Sequence, residues 1–190
     1  VYSSGLNSDE VFVGITGRDL LGENCRAELD IKDPEGEIRQ PDVEDILERA
    51  QPRKLPAGRM IVHTLVRQFF LDGRRINRSP LGMIGRHLAV DTHVVSGSES
   101  QIKNLERALE RVSLKVRGYV HSLVAAGEAV LTEEEKNSGC ILIDFGGGTT
   151  NVGLFYNGSL NYSVCIPIGS QNYDQDLKQG LGLSYEAAQR

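Results

Sequence analysis

The sequence predicts a mixed α/β (α+β) chain, and three observations carry the prediction. Strand-length runs rich in β-branched and aromatic residues recur along it, among them EVFVGIT at 10–16, MIVHTLVRQFFL at 60–71 and CILI at 140–143. Helical windows separate them, with apolar residues on one stripe, as Val43, Ile46, Leu47 and Ala50 are. The last third reads strand, glycine turn, strand, hairpin, strand, helix without interruption. At 190 residues, 39% hydrophobic and 25% charged, the chain makes one large domain or two small ones. A chain of that size buries roughly 70% of its unfolded surface and needs no disulfide or metal staple.

The elements follow in order. The run at 10–16 is a strand between Asn7-Ser8-Asp9 and Gly17. A weaker strand is expected at 27–31, ended by the turn-rich Asp33-Pro34-Glu35-Gly36. Pro41 opens an amphipathic helix whose first turn is acidic and whose last carries Arg49, as the helix dipole favours. The stretch 60–71 is one strand or a bent pair, and 72–80 is polar punctuation. In 86–95 the residues alternate, Leu88, Val90, Thr92 and Val94 on one face and His87, Ala89, Asp91 and His93 on the other. Ser98-Glu99-Ser100-Gln101 has the form of a capping box before a helix with Ile102, Leu105, Leu109 and Val112 on one face. A short strand at 116–120, a small-residue helix at 125–131 and an acidic TEEE close this part. The continuous apolar run from Cys140 then reads as a strand covered on both faces. Asn157-Gly158 is a hairpin turn, the return strand is 160–166, and a helix starts near Asn172.

Charge and composition exclude several classes. The net charge of −5 argues against a nucleic-acid surface, and no apolar run reaches the ~18–20 residues that span a bilayer. With no Trp and 6% aromatic residues, no stacking platform for single strands is visible. Cys25, Cys140 and Cys165 form no CxxC pair, fit a reducing compartment and read as small hydrophobes. The chain opens without Met and stops at Arg190 inside a helical pattern capped by Ser184, so a fragment of a longer protein is expected.

The sharpest chemical feature is Asp144-Phe145-Gly146-Gly147-Gly148-Thr149-Thr150. Three glycines let backbone N–H groups approach an anion with no Cβ in the way. Thr149 and Thr150 add hydroxyls, and Asp144 can reach a hydrated Mg²⁺ on the same phosphates. The turn leads into a strand, so it is neither a Walker loop nor a Rossmann turn. Elsewhere, His87 and His93 stand roughly 20 Å apart on a strand and cannot share an ion; their face reads as a solvated one. His63 and His121 read as satisfied core or rim residues. Arg67, Arg74, Arg75, Arg78 and Arg86 form the one basic cluster, read as a solvated loop.

The 144–150 motif resembles the second phosphate motif of the actin, Hsp70 and sugar-kinase ATPase superfamily. HTLVRQFFLDG (63–73), SPLGMIGRHLAVDTHVVSG (79–97), LTEEEKNSG (131–139) and IPIGSQNYDQDLKQGLGLS (166–184) are similar to one branch of it, the bacterial cell-division protein FtsA. That resemblance implies a partial actin-like ATPase fold with an inserted FtsA-type 1C subdomain, also called SHS2-like. Residues 1–4 would end subdomain 1A, 5–115 would be 1C, 116–139 would return to 1A, and 140–190 would begin 2A. It implies ATP and Mg²⁺, with phosphate on Gly146, Gly147, Gly148, Thr149 and Thr150 and Mg²⁺ held through water by Asp144. It also implies a polymerising adaptor at the division septum on the cytoplasmic face of the inner membrane. Its partners would be FtsZ, further copies of itself, and late division proteins such as FtsN through 1C, with no nucleic acid. Two positions depart from the superfamily pattern. Asn151 stands where related ATPases often carry a carboxylate, and Ser122-Leu123 stand where many carry Glu-Pro. No catalytic residue is therefore assigned, weak or no hydrolysis is expected of the parent, and this stretch alone is expected to be inactive. The alternatives are a pilus-assembly scaffold and a catalytically active member of the superfamily.

Overall fold

A computed structural model of the protein describes residues 9–188. In chain order the elements are β1 (Glu10–Ile15), β2 (Leu21–Asp30), α1 (Gln40–Arg49), β3 (Arg59–Leu71), β4 (Arg74–Ile76), β5 (His87–Ser98), α2 (Glu99–Glu110), β6 (Lys115–His121), α3 (Ser122–Val130), α4 (Glu133–Ser138), β7 (Cys140–Phe145), β8 (Thr150–Tyr156), β9 (Ser159–Ile166), α5 (Ser170–Leu181) and α6 (Tyr185–Ala188). They form three sheets: a parallel β1–β6 pair, an antiparallel β2-β5-β3-β4 sheet, and an antiparallel β7-β8-β9 sheet.

The four-stranded sheet carries the first core. α1 lays Ile46 and Ala50, both fully buried, on Ala27, Leu29, Leu88 and Val90. β2 starts at Leu21, six residues before the expected 27. Its first half is polar and exposed, and hydrogen bonds to β5 from Leu21↔Ser96 onward hold it extended. β3 is one strand, whose register shifts at Ile61/His63 and Val66/Gln68 supply the bend the sequence left open. β4 lies within the stretch read as polar punctuation. Asp72 (φ 48°) and Gly73 (φ 76°) make the two-residue turn that pairs it back on β3.

β1 and β6 pair from Glu10↔Lys115 to Ile15↔His121. The hydrogen bonds thus join β1, expected inside the 5–115 unit, to β6, expected to lie largely in the 116–139 unit. α2 closes this pair with Ile102 on Ile15 and Val62. Its expected capping box is absent, since Ser98 makes no side-chain cap and Gln101 bonds Asp19 instead (2.6 Å). α4, read only as an acidic closure, is capped reciprocally by Thr132 and Glu135.

The third sheet packs Phe155 and Leu160 on Leu123 of α3. A Cβ on Gly127 would sit 2.5 Å from the Phe155 ring, so α3 approaches that closely only with glycine there. The expectation of a β7 covered on both faces is corrected: Ile141 (65%) and Ile143 (61%) are exposed. A three-stranded sheet with its helix on one side leaves the other open. Residues 1–4, expected as the end of 1A, lie outside the described residues.

Candidate phosphate site at the glycine turn

The glycine turn joins β7 to β8 in register, with Asp144 opposite Asn151 and Phe145 opposite Thr150. The Gly146 N–H donates to the Thr149 carbonyl (2.9 Å), closing the loop, while Gly147 and Gly148 are exposed at its tip. The start of α5 is stapled beneath it. The N–H groups of Ser170 and Gln171 donate to the carbonyls of Gly146 (3.0 Å) and Gly147 (2.9 Å). With its carbonyls turned toward α5, the turn keeps an outward tip of backbone without side chains, and a helix N-terminus beside it favours negative charge.

Close packing enforces that arrangement. A Cβ on Gly169 would lie 2.5 Å from both the Gly146 and Gly147 oxygens, so only glycine lets the two segments touch. Gly169 donates its own N–H to the Asn172 side chain (2.9 Å), and Phe145 meets Tyr173 with ring centroids 5.8 Å apart. Of the two threonines, Thr150 donates its hydroxyl to the Ile168 carbonyl (2.7 Å), holding the loop before α5. That use leaves its oxygen able only to accept.

Asp144 is half-buried and accepts from the Asn151 amide (3.2 Å). The same amide donates to Thr16 Oγ1 (2.9 Å), immediately after β1. Ser122, the first residue of α3, lies beside Gly14 of β1, where an added Cβ would stand 3.5 Å from its hydroxyl. The carboxyl end of β1 therefore reaches, through Thr16, the strand that leaves the phosphate turn, on the side where ligands bind in open α/β sheets. The amides of Gly147 and Gly148, the Thr149 hydroxyl and the Asp144 carboxylate fit a phosphate with a hydrated Mg²⁺, whereas Gly146 and Thr150 spend their protons on the turn itself. Among the described residues no group of three or more His, Cys, Asp or Glu is arranged to hold a metal directly.

The other candidates disperse. His87 is exposed and paired with Asp30 (2.5 Å), and Asp91 meets Arg26 (3.3 Å). His93 corrects the reading of a solvated face. It is fully buried between the Asn24 side chain (2.6 Å) and Ser163 Oγ (2.8 Å), joining β5 to β9. His121 is buried and caps α3 by accepting the Leu123 N–H (3.1 Å), whereas His63 Nδ1 is buried without a partner. Burial, with the charges of His121 and Arg67 second, lowers His93 to about 4. Burial and then His63 lower His121 to about 4. The arginines scatter: Arg67 bonds Asn161 (3.0 Å), Arg75 bonds Gln68, and Arg86 bonds the carbonyls of Asp33 and Pro34.

Comparison with known proteins agrees with the architecture. In fold, the chain overlays a solved PilM-PilN type IV pilus biogenesis complex over 94% of its own length and 48% of the other chain, with TM-score 0.63 at 14% identity. It is a mixed α/β protein with, in part, an actin-like fold and an inserted SHS2 domain. The family model described as the SHS2 domain inserted in FtsA matches residues 17–96, and that of cell division protein FtsA matches 141–190. Relatives named cell division protein FtsA are 34% identical in Bacillus subtilis (95% of this chain, 41% of theirs) and 35% in Rhizobium meliloti (98% and 42%). The Neisseria meningitidis serogroup B protein is 32% identical over 94% of this chain and 43% of its own length. The chain belongs to the FtsA family and spans about two fifths of the length of these relatives.

Sequence reasoning located the glycine turn because its residues are contiguous. It missed Thr16 and Gly169. Gly169 has an extended φ of −152° that any residue adopts, so only the contact with the turn explains it, and no local pattern announces that contact.

Proposed function

We propose that this chain is part of an FtsA-like, ATP-binding, polymerising adaptor that anchors FtsZ filaments to the membrane and recruits later division proteins. The observation that carries the ATP reading is the glycine turn stapled to the N-terminus of α5 by two backbone hydrogen bonds, with Asp144 two residues before Gly146. Of the candidates Gly146, Gly147, Gly148, Thr149 and Thr150, the amides of Gly147 and Gly148 and the Thr149 hydroxyl would donate to phosphate, Gly146 and Thr150 would shape the turn through their own hydrogen bonds, and Asp144 would hold hydrated Mg²⁺. ATP supplies the negative charge that this turn is built to meet.

The β1–β6 pairing supports a division in which β1, β6, α3 and α4 belong to 1A, residues from about 17 to 98 form the inserted 1C unit, and 140–190 begin 2A. The 1C unit would carry contacts to further copies and to proteins such as FtsN. Asn151 and Ser122 lack the charge to serve as general bases, which favours binding over fast turnover. The attachment we propose is peripheral; among the described residues no helix is long and apolar enough to cross a membrane.

Co-sedimentation of the full-length protein with FtsZ filaments and anionic vesicles tests this. FtsZ is expected to pellet with vesicles only when the protein and ATP are both present. FtsZ remaining in the supernatant under those conditions overturns the adaptor reading.

A further inference from the structure

Asn151 is 3% exposed and does two things with one amide group. One N–H reaches Asp144 Oδ2 at 3.2 Å across the β7–β8 ladder; the other reaches Thr16 Oγ1 at 2.9 Å, at the carboxyl end of β1. Thr16 and Asn151 are 135 residues apart in sequence. An amide can donate to two acceptors at once, whereas a carboxylate at this position could donate to neither. We propose that Thr16, Asn151 and Asp144 form a hydrogen-bonded strap in which Asn151 is a positioning residue. It sets the Asp144 carboxylate for the metal–phosphate group and ties its orientation to the end of β1. The inference rests on the nucleotide reading above.

The strap has a chemical direction. Buried hydrogen bonds to an ionised acceptor are among the stronger ones, and they hold a carboxylate in one rotamer. An oxygen fixed in this way gives Mg²⁺ and its waters a ready partner and avoids an ordering cost on binding. Because Thr16 follows β1, a shift of the β1–β6 pair relative to the third sheet moves the strap and hence Asp144. Nucleotide binding and the relative setting of the two sheets are then linked, and linkage acts in both directions.

The test uses the full-length protein, with Thr16→Val, Thr16→Ser, Asn151→Ala and the Thr16→Val/Asn151→Ala double variant. The first readout is the Mg²⁺ midpoint for binding a fluorescent ATP analogue, measured beside the analogue's affinity in EDTA. The second is urea unfolding without nucleotide. Thr16→Val is expected to raise the Mg²⁺ midpoint about three- to tenfold, the effect of one lost hydrogen bond. Affinity in EDTA should stay unchanged, and Thr16→Ser should restore the midpoint. The double variant should be no worse than Asn151→Ala alone. A wild-type midpoint in Thr16→Val, or effects that multiply in the double variant, overturns the strap. If the wild-type protein binds no analogue at any Mg²⁺ concentration, the nucleotide reading fails. The unfolding cycle then judges the strap by itself: non-additive effects of Thr16→Val and Asn151→Ala uphold it, and additive effects overturn it.

Discussion

His93 shows how one residue can make a junction depend on pH. Its two ring nitrogens join the Asn24 and Ser163 side chains, and Gly22 packs so close that an added Cβ would fall 2.6 Å from the ring. A Cβ there would also meet Ser163 Oγ at 2.8 Å. The folded protein holds His93 and His121 near 4, below the ordinary 6.5, because burial disfavours their charged forms. In the unfolded chain both protonate below about 6.5, so as pH falls from there toward 4 the unfolded state takes up protons the folded state refuses. Stability is full above about 6.5 and declines below it, by on the order of 1–3 kcal/mol per histidine. Urea midpoints between pH 7 and 5 should fall, and His93→Gln should flatten that fall. A profile equally steep in the variant would contradict the assignment.

At the scale of elements, burial separates positions that the sequence alone treats alike. Leu88 of β5 is fully buried under α1, whereas Ile143 of β7 is 61% exposed on the open face of the third sheet. In this 190-residue chain Leu88→Ala should cost about 2–5 kcal/mol in urea unfolding, and Ile143→Ser less than about 0.5 kcal/mol. Equal costs would mean that the core is misassigned. The same contrast explains what was legible beforehand. β1, β3, β5 and β7 announce themselves by β-branched runs, and α1 by its stripe. β4 is three residues, Arg74-Arg75-Ile76, made by a turn instead of a hydrophobic pattern. α4 is polar throughout, and its cap signature, Thr132 with Glu135, stands without the apolar period that would mark a helix. β2 is extended at Leu21–Cys25 only because β5 runs beside it. Coverage of β7 failed as an inference because a continuous apolar run reports what a strand can bury, and only the packed partners decide what it does bury. The site divides the same way. The glycine turn is local, whereas Thr16 and Gly169 act through contacts with residues distant in sequence.

At the scale of the molecule, three sheets of the described residues meet through specific side-chain bonds. Arg67 reaches Asn161, Ser159 Oγ donates to the Val66 carbonyl (2.7 Å), and His93 meets Ser163, joining the four-stranded sheet to β9. The Asn151 amide joins β1 to the phosphate turn, and Lys136 of α4 is buried between Glu128 and Glu133. The open face of the third sheet, with Ile141, Ile143, Tyr162 and Val164 exposed, is an apolar surface of the kind that marks further contacts. A nucleotide clamped between two halves of a cleft needs both for tight binding and for turnover. The chain spans about two fifths of the length of its relatives, and its glycine turn would supply one side of such a nucleotide site. Calorimetric titration of Mg-ATP into the full-length protein and into the 190-residue chain, side by side, tests the central claim most directly. The account predicts Mg²⁺-dependent binding at micromolar affinity or tighter for the full-length protein, with weak binding and no turnover for the shorter chain. No binding to the full-length protein, or tight binding with turnover by the shorter chain alone, would contradict it.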